Sequence, residues 1–245
     1  CRYEGRADYV GGAGIVAKHL SAAGAQVTFS TVLGDDALKG FVLDDLEKVG
    51  VETKAVIDPT RPTTNKNAFV AGGYRLLKVD TLDNRSISDK ILEELKEKIS
   101  SFDGNAVVFS DFRHGIFNRN TIPTLIEAIP EGLFRVADSQ VASRWGNILD
   151  FQGFDLITPN EKEARFSLGD QDTVVRPLGT ELHNQANCRF LILKLGARGL
   201  LTFRRDIETF DDVRSFFAVD SFAGNVVDAV GSGDALLAYA TLALK

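Results

Sequence analysis

The sequence predicts an α/β fold: a three-layer α/β/α sandwich around a largely parallel sheet, with a small β-sheet lid beside it. Helical and strand patterns alternate over most of the chain, which is how βα units are written in sequence. The strand-like runs are apolar on both faces, as strands buried beneath helices are. One stretch breaks this rhythm, because Lys66–Ala71 and Tyr74–Asp80 flank Gly72-Gly73, a dipeptide suited to a two-residue hairpin turn.

In chain order, apolar recurrence at helical spacing predicts helices over Gly14–Ala23, Ala37–Val49, Ser88–Ser101, Thr121–Ile129, Glu161–Leu168 and Ala235–Leu244. Between them, short β-rich runs predict strands at Val27–Leu33, Ala106–Phe109, Phe134–Ala137, Phe154–Thr158 and Phe190–Leu195. Residues 11–52 and 81–245 are expected to form the α/β core. Residues 53–80, joined by 1–10 with a strand at Arg6–Val10, are expected to form the lid.

Composition narrows the function. With 28 Lys and Arg against 34 Asp and Glu, the formal charge is −6, which argues against nucleic acid as the main partner. Hydrophobic residues at 44% and charged residues at 25% describe an ordinary globular chain. Apolar runs such as Phe190-Leu191-Ile192-Leu193 are strand-length, whereas a membrane-spanning helix needs about 20 apolar residues, so no membrane partner is expected. Cys1 and Cys188 are too few for a disulfide framework, and a cytoplasmic location is expected. The chain opens on Cys1 and contains no Met; either a trimmed product happens to lack them or residues are omitted from the sequence, and both ends are expected to be cut.

The most informative stretch is Asp228-Ala229-Val230-Gly231-Ser232-Gly233-Asp234, running into Ala235-Leu236-Leu237-Ala238. A small-residue loop here feeds a helix start, whose unpaired amides at Ser232, Gly233 and Asp234 would form an anion site. A carboxylate in such a site repels the anion unless it takes a proton beside it, which suggests a general base next to a transferring phosphoryl group. A first-turn Asp that merely favours the helix dipole is the competing reading.

The residues then carry a resemblance. Gly231-Ser232-Gly233-Asp234 is similar to the Gly-Ala-Gly-Asp signature of the ribokinase-like, or phosphofructokinase-B-type, carbohydrate kinases. The resemblance implies Asp234 as catalytic base, Gly231, Ser232 and Gly233 as the anion hole, and ATP as phosphoryl donor. Asp228 also matches, and the resemblance allows a monovalent cation near it. Val230 stands where family members often carry Thr.

Gly11-Gly12-Ala13-Gly14 resembles the family's sugar-side Gly-Gly signature, with Ile15 where Asn is usual. The same residues fit G-x-G-x-x-A, and Asp35 follows at about the distance a dinucleotide fold requires. Against that, Arg6-Ala7-Asp8-Tyr9-Val10 is polar and short for a central buried strand. Asn160 and Glu163 lie three apart at a helix start and resemble the family's N-x-x-E motif, which implies Mg²⁺, an ion that prefers hard oxygen donors. An Asn cap with an acidic third residue is the structural alternative.

Lys194, Gly196 and Gly199, in Leu191–Gly199, resemble the family's strand and turn beside the nucleotide. Asp111 and Asp138 end strands, where ligands of open α/β sheets collect, and are assigned with Gly11 and Gly12 to the acceptor. Arg61-Pro62-Thr63-Thr64-Asn65-Lys66 with Leu76-Leu77-Lys78-Val79-Asp80, and Ser110-Asp111-Phe112-Arg113-His114-Gly115, are similar to the heptose 7-phosphate kinase branch of ADP-heptose synthesis, which implies Lys66 and Arg113, with Arg75 as a further candidate, as cations for a substrate phosphate. His114 is read as structural or at a pocket edge. The expectation is an ATP-dependent kinase of a sugar or sugar phosphate, homodimeric through the lid. A non-catalytic sugar or nucleotide sensor of the same fold and an NAD-dependent dehydrogenase are the alternatives. The resemblance also implies that the first strand and the helices closing the adenine pocket lie outside this sequence.

Overall fold

The computed structural model describes residues 2–141, 145–205, 215–226 and 228–245; Cys1 lies outside them. Strands β1 (Val27–Phe29) and β2 (Val32–Leu33) are followed by β3 (Val51–Thr53) and β4 (Val56–Ile57). Then come the hairpin strands β5 (Asn65–Ala71) and β6 (Tyr74–Thr81), and the strands β7 (Ala106–Asp111), β8 (Phe134–Ser139), β9 (Leu156–Ile157), β10 (Phe190–Lys194), β11 (Leu200–Arg204) and β12 (Phe216–Val219). The helices are α1 (Ala13–Ala22), α2 (Ala37–Glu47), α3 (Asp89–Ser100), α4 (Thr121–Glu127), α5 (Glu161–Leu168), α6 (Val175–Ala186) and α7 (Ser232–Leu244).

The central sheet has six strands in the order β12-β11-β10-β9-β8-β7. From β7 to β10 neighbours run parallel, and β11 and β12 continue antiparallel. Alternate side chains feed opposite layers. Leu191 and Leu193 of β10 join a core with α3, α4, α5 and α6 residues, whereas Ile192 joins Val136, Leu156 and Leu237 on the α1/α7 side. Phe151, Phe154 and Phe203 are wholly enclosed, each worth roughly 1.5–3 kcal/mol of burial. The three-layer α/β sandwich is thus realised.

Several elements depart from expectation. The expected strand at Arg6–Val10 does not form: Arg6 bonds Asp8 within the segment, and β5 and β6 pair only with each other. Residues 53–57, expected in the lid, instead pair with the core, since β3 lies on β1 and β4 on β2. The lid is therefore the β5–β6 hairpin, with Gly72 and Gly73 both at positive φ in its turn as a two-residue connection demands. Helix α6 is an addition to the expected elements. Pro177 occupies the third helical position, where no intrahelical partner is lost, and Gly179 leaves room for the Phe203 ring. Strands β11 and β12 were also missed; Gly199, whose backbone packs on that of Val219–Ser221, was their signal.

Candidate functional site

The parallel strands deliver Asp111, Asp138 and Lys194 to their carboxyl ends, and α7 starts against the same edge. Gly231 caps α7 in the left-handed region, a conformation glycine adopts without penalty. Helix α7 begins three residues earlier than expected, so Asp234 stands in its first turn. The Ser232 amide and hydroxyl both bond Ala229 O, at 3.2 and 2.8 Å. This corrects the expectation that the Ser232 amide is free for an anion. Among the described residues, the amides of Gly231, Gly233 and Asp234 are left unpaired at this helix start. Asp228 Oδ1 accepts the Val230 amide at 2.9 Å, shaping the loop as an Asx turn. Burial and then Asp138 push the Asp234 carboxyl above its ordinary pKa, opposed by Lys194 and His19.

Lys194 joins the parts. Its ammonium lies 2.9 Å from Asp138 Oδ1, which also accepts the Thr158 hydroxyl at 2.9 Å. It also stands 3.4 Å from where a side chain on Gly233 would begin. Asn160 bridges to Lys194 across the strand ends. Asn160 and Glu163 form a capping box, with Asn160 Oδ1 accepting the Glu163 amide at 2.9 Å and Glu163 Oε2 accepting the Asn160 amide at 2.7 Å. The local capping role is therefore real. It does not explain why Glu163 is buried, with its pKa pushed to about 7 by burial and by Asp138 against the pull of Lys194.

Glu163 and Asp138 are both buried, and the Asp138 charge adds to the proton affinity of Glu163; such a carboxyl pair is a donor set a divalent cation would satisfy. Among the described residues no group of three or more His, Cys, Asp or Glu could hold a metal. Mg²⁺ keeps several waters and takes one or two carboxylates, a donor requirement that Glu163 and Asp138 would match. Past Lys194 the chain makes a short 3₁₀ turn, Gly196–Arg198. Gly199 closes it, with Leu195 N bonding Gly199 O at 2.9 Å, and nothing lies within 4 Å of the side-chain position at Gly196.

A cavity of about 1140 Å³ lies beneath the hairpin, lined by Gly11, Gly12, Lys66, Asp111, Arg113 and His114 among others. Asp138 does not line it and sits with Lys194 instead; Ile15 does not line it either. Arg113, at positive φ, is engaged by Asp111 at 2.6 Å and Asp150 at 3.0 Å. Burial, opposed by Arg113, holds the Asp111 carboxyl at a pKa of about 6. The Lys66 ammonium has no hydrogen bond or ion pair among the described residues and lies 5.7 Å from the centre of the Phe112 ring. Burial and Lys78 lower its pKa. His114 Nδ1 donates to Asn84 Oδ1 at 2.9 Å, and burial together with Lys66 takes its pKa down to about 4. The dinucleotide alternative lacks its strand, since residues 2–10 precede the glycines without regular structure, and Asp35 pairs with Lys39 at 2.5 Å.

Comparison with known proteins gives the family of the chain. The model of the pfkB family carbohydrate kinases matches residues 5–244. The bifunctional protein HldE of Geobacter metallireducens is 29% identical over 244 residues, covering 96% of this chain and 47% of that protein. The chain thus spans about half the length of the curated relatives it matches. Among solved structures, phosphofructokinase-2 from Escherichia coli in complex with fructose-6-phosphate superposes with a TM-score of 0.74 at 19% identity, covering 96% of this chain and 75% of that one. The same enzyme in complex with potassium gives 0.73 at 19% identity, covering 94% and 72%. Among the described residues no helix is long and apolar enough to cross a membrane.

Proposed function

The chain belongs to the pfkB family of carbohydrate kinases, and from that premise we propose that it transfers the γ-phosphoryl group of ATP to a hydroxyl of a sugar or sugar phosphate in the cytoplasm. The observation that carries the reading is Asp234 in the first turn of α7, beside unpaired amides and next to Lys194. A base is of use there because an acceptor hydroxyl must lose its proton as it attacks. The upward push on its pKa makes Asp234 a better proton acceptor than a solvated aspartate. The Gly233 and Asp234 amides, together with the helix dipole, would stabilise charge on the equatorial oxygens.

Lys194 would exchange Asp138 for a nucleotide phosphate oxygen, with Gly196 and Gly199 shaping the turn alongside. Asn160, Glu163 and the freed Asp138 would then face the cation. When bound, Mg²⁺ supplies charge neutralisation on the nucleotide phosphates. A monovalent cation near Asp228 belongs to the same reading, on the strength of the potassium complex of the structural neighbour.

The acceptor would occupy the cavity beneath the hairpin, against Gly11 and Gly12, with hairpin closure excluding water. A heptose 7-phosphate is the proposed acceptor. The similarity to HldE supports it, as does Lys66, a cation at the cavity whose ammonium has no ion-pair partner among the described residues. Arg113, already engaged by carboxylates, would shape that pocket more than it neutralises a phosphate.

The hairpin also suggests the partner. Phe69, Leu77 and Val79 share the face opposite Lys66 and are 55%, 55% and 44% exposed. A lone two-stranded hairpin is marginal in water, and a second copy would cover that face.

The test is ADP release with ATP and Mg²⁺ over a panel of heptose 7-phosphate, ribose, fructose and nucleosides, beside Asp234→Asn. Turnover on one acceptor that collapses in the variant supports the kinase and its base. ATP binding without turnover on any acceptor would favour a sensor of the same fold.

A further inference from the structure

The hairpin is built to be held at its root. On the entering leg, Arg61 Nε donates to Asp58 Oδ2 at 2.7 Å, and both side chains are almost fully enclosed, at 7% and 6% exposure. The two terminal nitrogens of the same guanidinium cross to the leaving leg, donating to Arg85 O at 3.4 Å and Ser86 O at 3.3 Å. In return, Arg85 donates from its guanidinium to Thr60 O at 3.1 Å, while Asp83 Oδ2 accepts its Nε at 2.7 Å. Each leg's arginine thus binds the other leg's backbone.

Both legs are also seated on the core. Thr63 N donates to Asp36 Oδ2 at 2.7 Å, and Gly34 N donates to Thr63 Oγ1 at 3.0 Å. A side chain on Gly34 would begin 2.5 Å from Arg61 O. On the leaving side, Ile87 N donates to Gly115 O at 3.1 Å and Asn118 Nδ2 to Ser86 Oγ at 2.9 Å. Beyond this root β6 is exposed along its whole length and β5 along most of it, so the hairpin's aim is decided where it leaves the core.

We propose that Arg61 and Arg85 form a reciprocal clasp that makes the two legs move as one piece and thereby sets where Lys66 stands over the cavity; both are positioning residues for the acceptor. The catalytic consequence rests on the sugar-kinase reading, whereas the clasp itself rests on the hydrogen bonds alone. The planar fork of arginine matters, because one guanidinium here serves a carboxylate and two carbonyls from a fixed geometry that a lysine ammonium cannot reproduce.

The experiment uses the whole chain with Arg61→Gln, Arg85→Gln, the double variant and Arg61→Lys. Hydrogen exchange is read at residues 65–81 against α3, and the KM values for ATP and for the phosphorylated acceptor are read separately. Each single Gln variant is expected to speed hairpin exchange about tenfold with α3 unchanged, and the double variant to add little, as one coupled unit should. The KM for the acceptor rises about tenfold while that for ATP holds, and Lys66→Ala adds nothing further on Arg61→Gln. Arg61→Lys keeps the charge beside Asp58, so it folds even where Gln does not, and still loosens the hairpin. Wild-type hairpin exchange in Arg61→Lys, or singles whose effects simply add, would overturn the clasp. A wild-type chain that phosphorylates no acceptor overturns the kinase reading and leaves the exchange result to decide the clasp.

Discussion

The Lys194 ammonium lies 2.9 Å from Asp138 Oδ1, although 56 residues separate the two in the chain. The pair, with the lysine and aspartate side chains 16% and 5% exposed, acts on the pKa of both Glu163 and Asp234. Lys194 opposes, and Asp138 adds to, the upward push on each acid. One ion pair therefore tunes both the proposed base and the proposed metal ligand.

Asp234→Asn keeps the size of the side chain and removes its capacity to take a proton. Turnover should fall about 10²- to 10⁴-fold, the usual worth of a positioned base. ATP should still protect the protein thermally. ADP release and a thermal-shift titration on the same preparation check both halves.

Lys194→Met removes the cation that opposes the rise at Asp234. Asp234 must be ionised to act, so raising its pKa moves the acid limb of the pH–rate profile to higher pH. The KM for ATP should rise roughly tenfold through loss of a charge-assisted phosphate contact. A profile whose acid limb stays in place would separate Lys194 from the base.

Arg113→Met strips the counter-ion from a carboxyl that is 1% exposed. The Asp111 pKa is raised to about 6, so the folded state holds a proton that the unfolded state releases between about pH 4 and 6. Stability from this group therefore falls as pH rises through that window. Without Arg113 the window extends upward. The variant should lose about 3–5 kcal/mol at pH 8, the range for a broken buried pair, and less at pH 5, where Asp111 is protonated in both proteins. Denaturant melts at the two pH values give the comparison.

Leu77→Lys with Val79→Lys puts charge on the hairpin face opposite Lys66. If a second copy covers that face, light scattering should show a dimer for the parent chain and a monomer for the variant. A parent chain that is monomeric at working concentration rules the hairpin interface out.

Neighbouring residues alone decide the small-residue turn at Gly231 that opens a helix carrying Asp234, the capping spacing of Asn160 and Glu163, and the hairpin about Gly72-Gly73. Local spacing is enough for these, because caps and tight turns are closed by residues two to four positions apart. The apolar strand runs likewise announced a sheet buried on both faces. The family resemblance carried by the same motifs named Asp234.

The tertiary structure decided which of those residues meet. Asp138 was assigned to the acceptor because it ends a strand, yet β9 between β8 and β10 sets it beside Lys194, away from the cavity. Arg113 looked free for a phosphate until the left-handed turn after Asp111 folded its guanidinium onto Asp111 and Asp150. Ser232 lost its amide to Ala229 O because the loop curls back before the helix begins. These outcomes depend on strand order, burial and competition for partners, which arise between segments far apart in the chain.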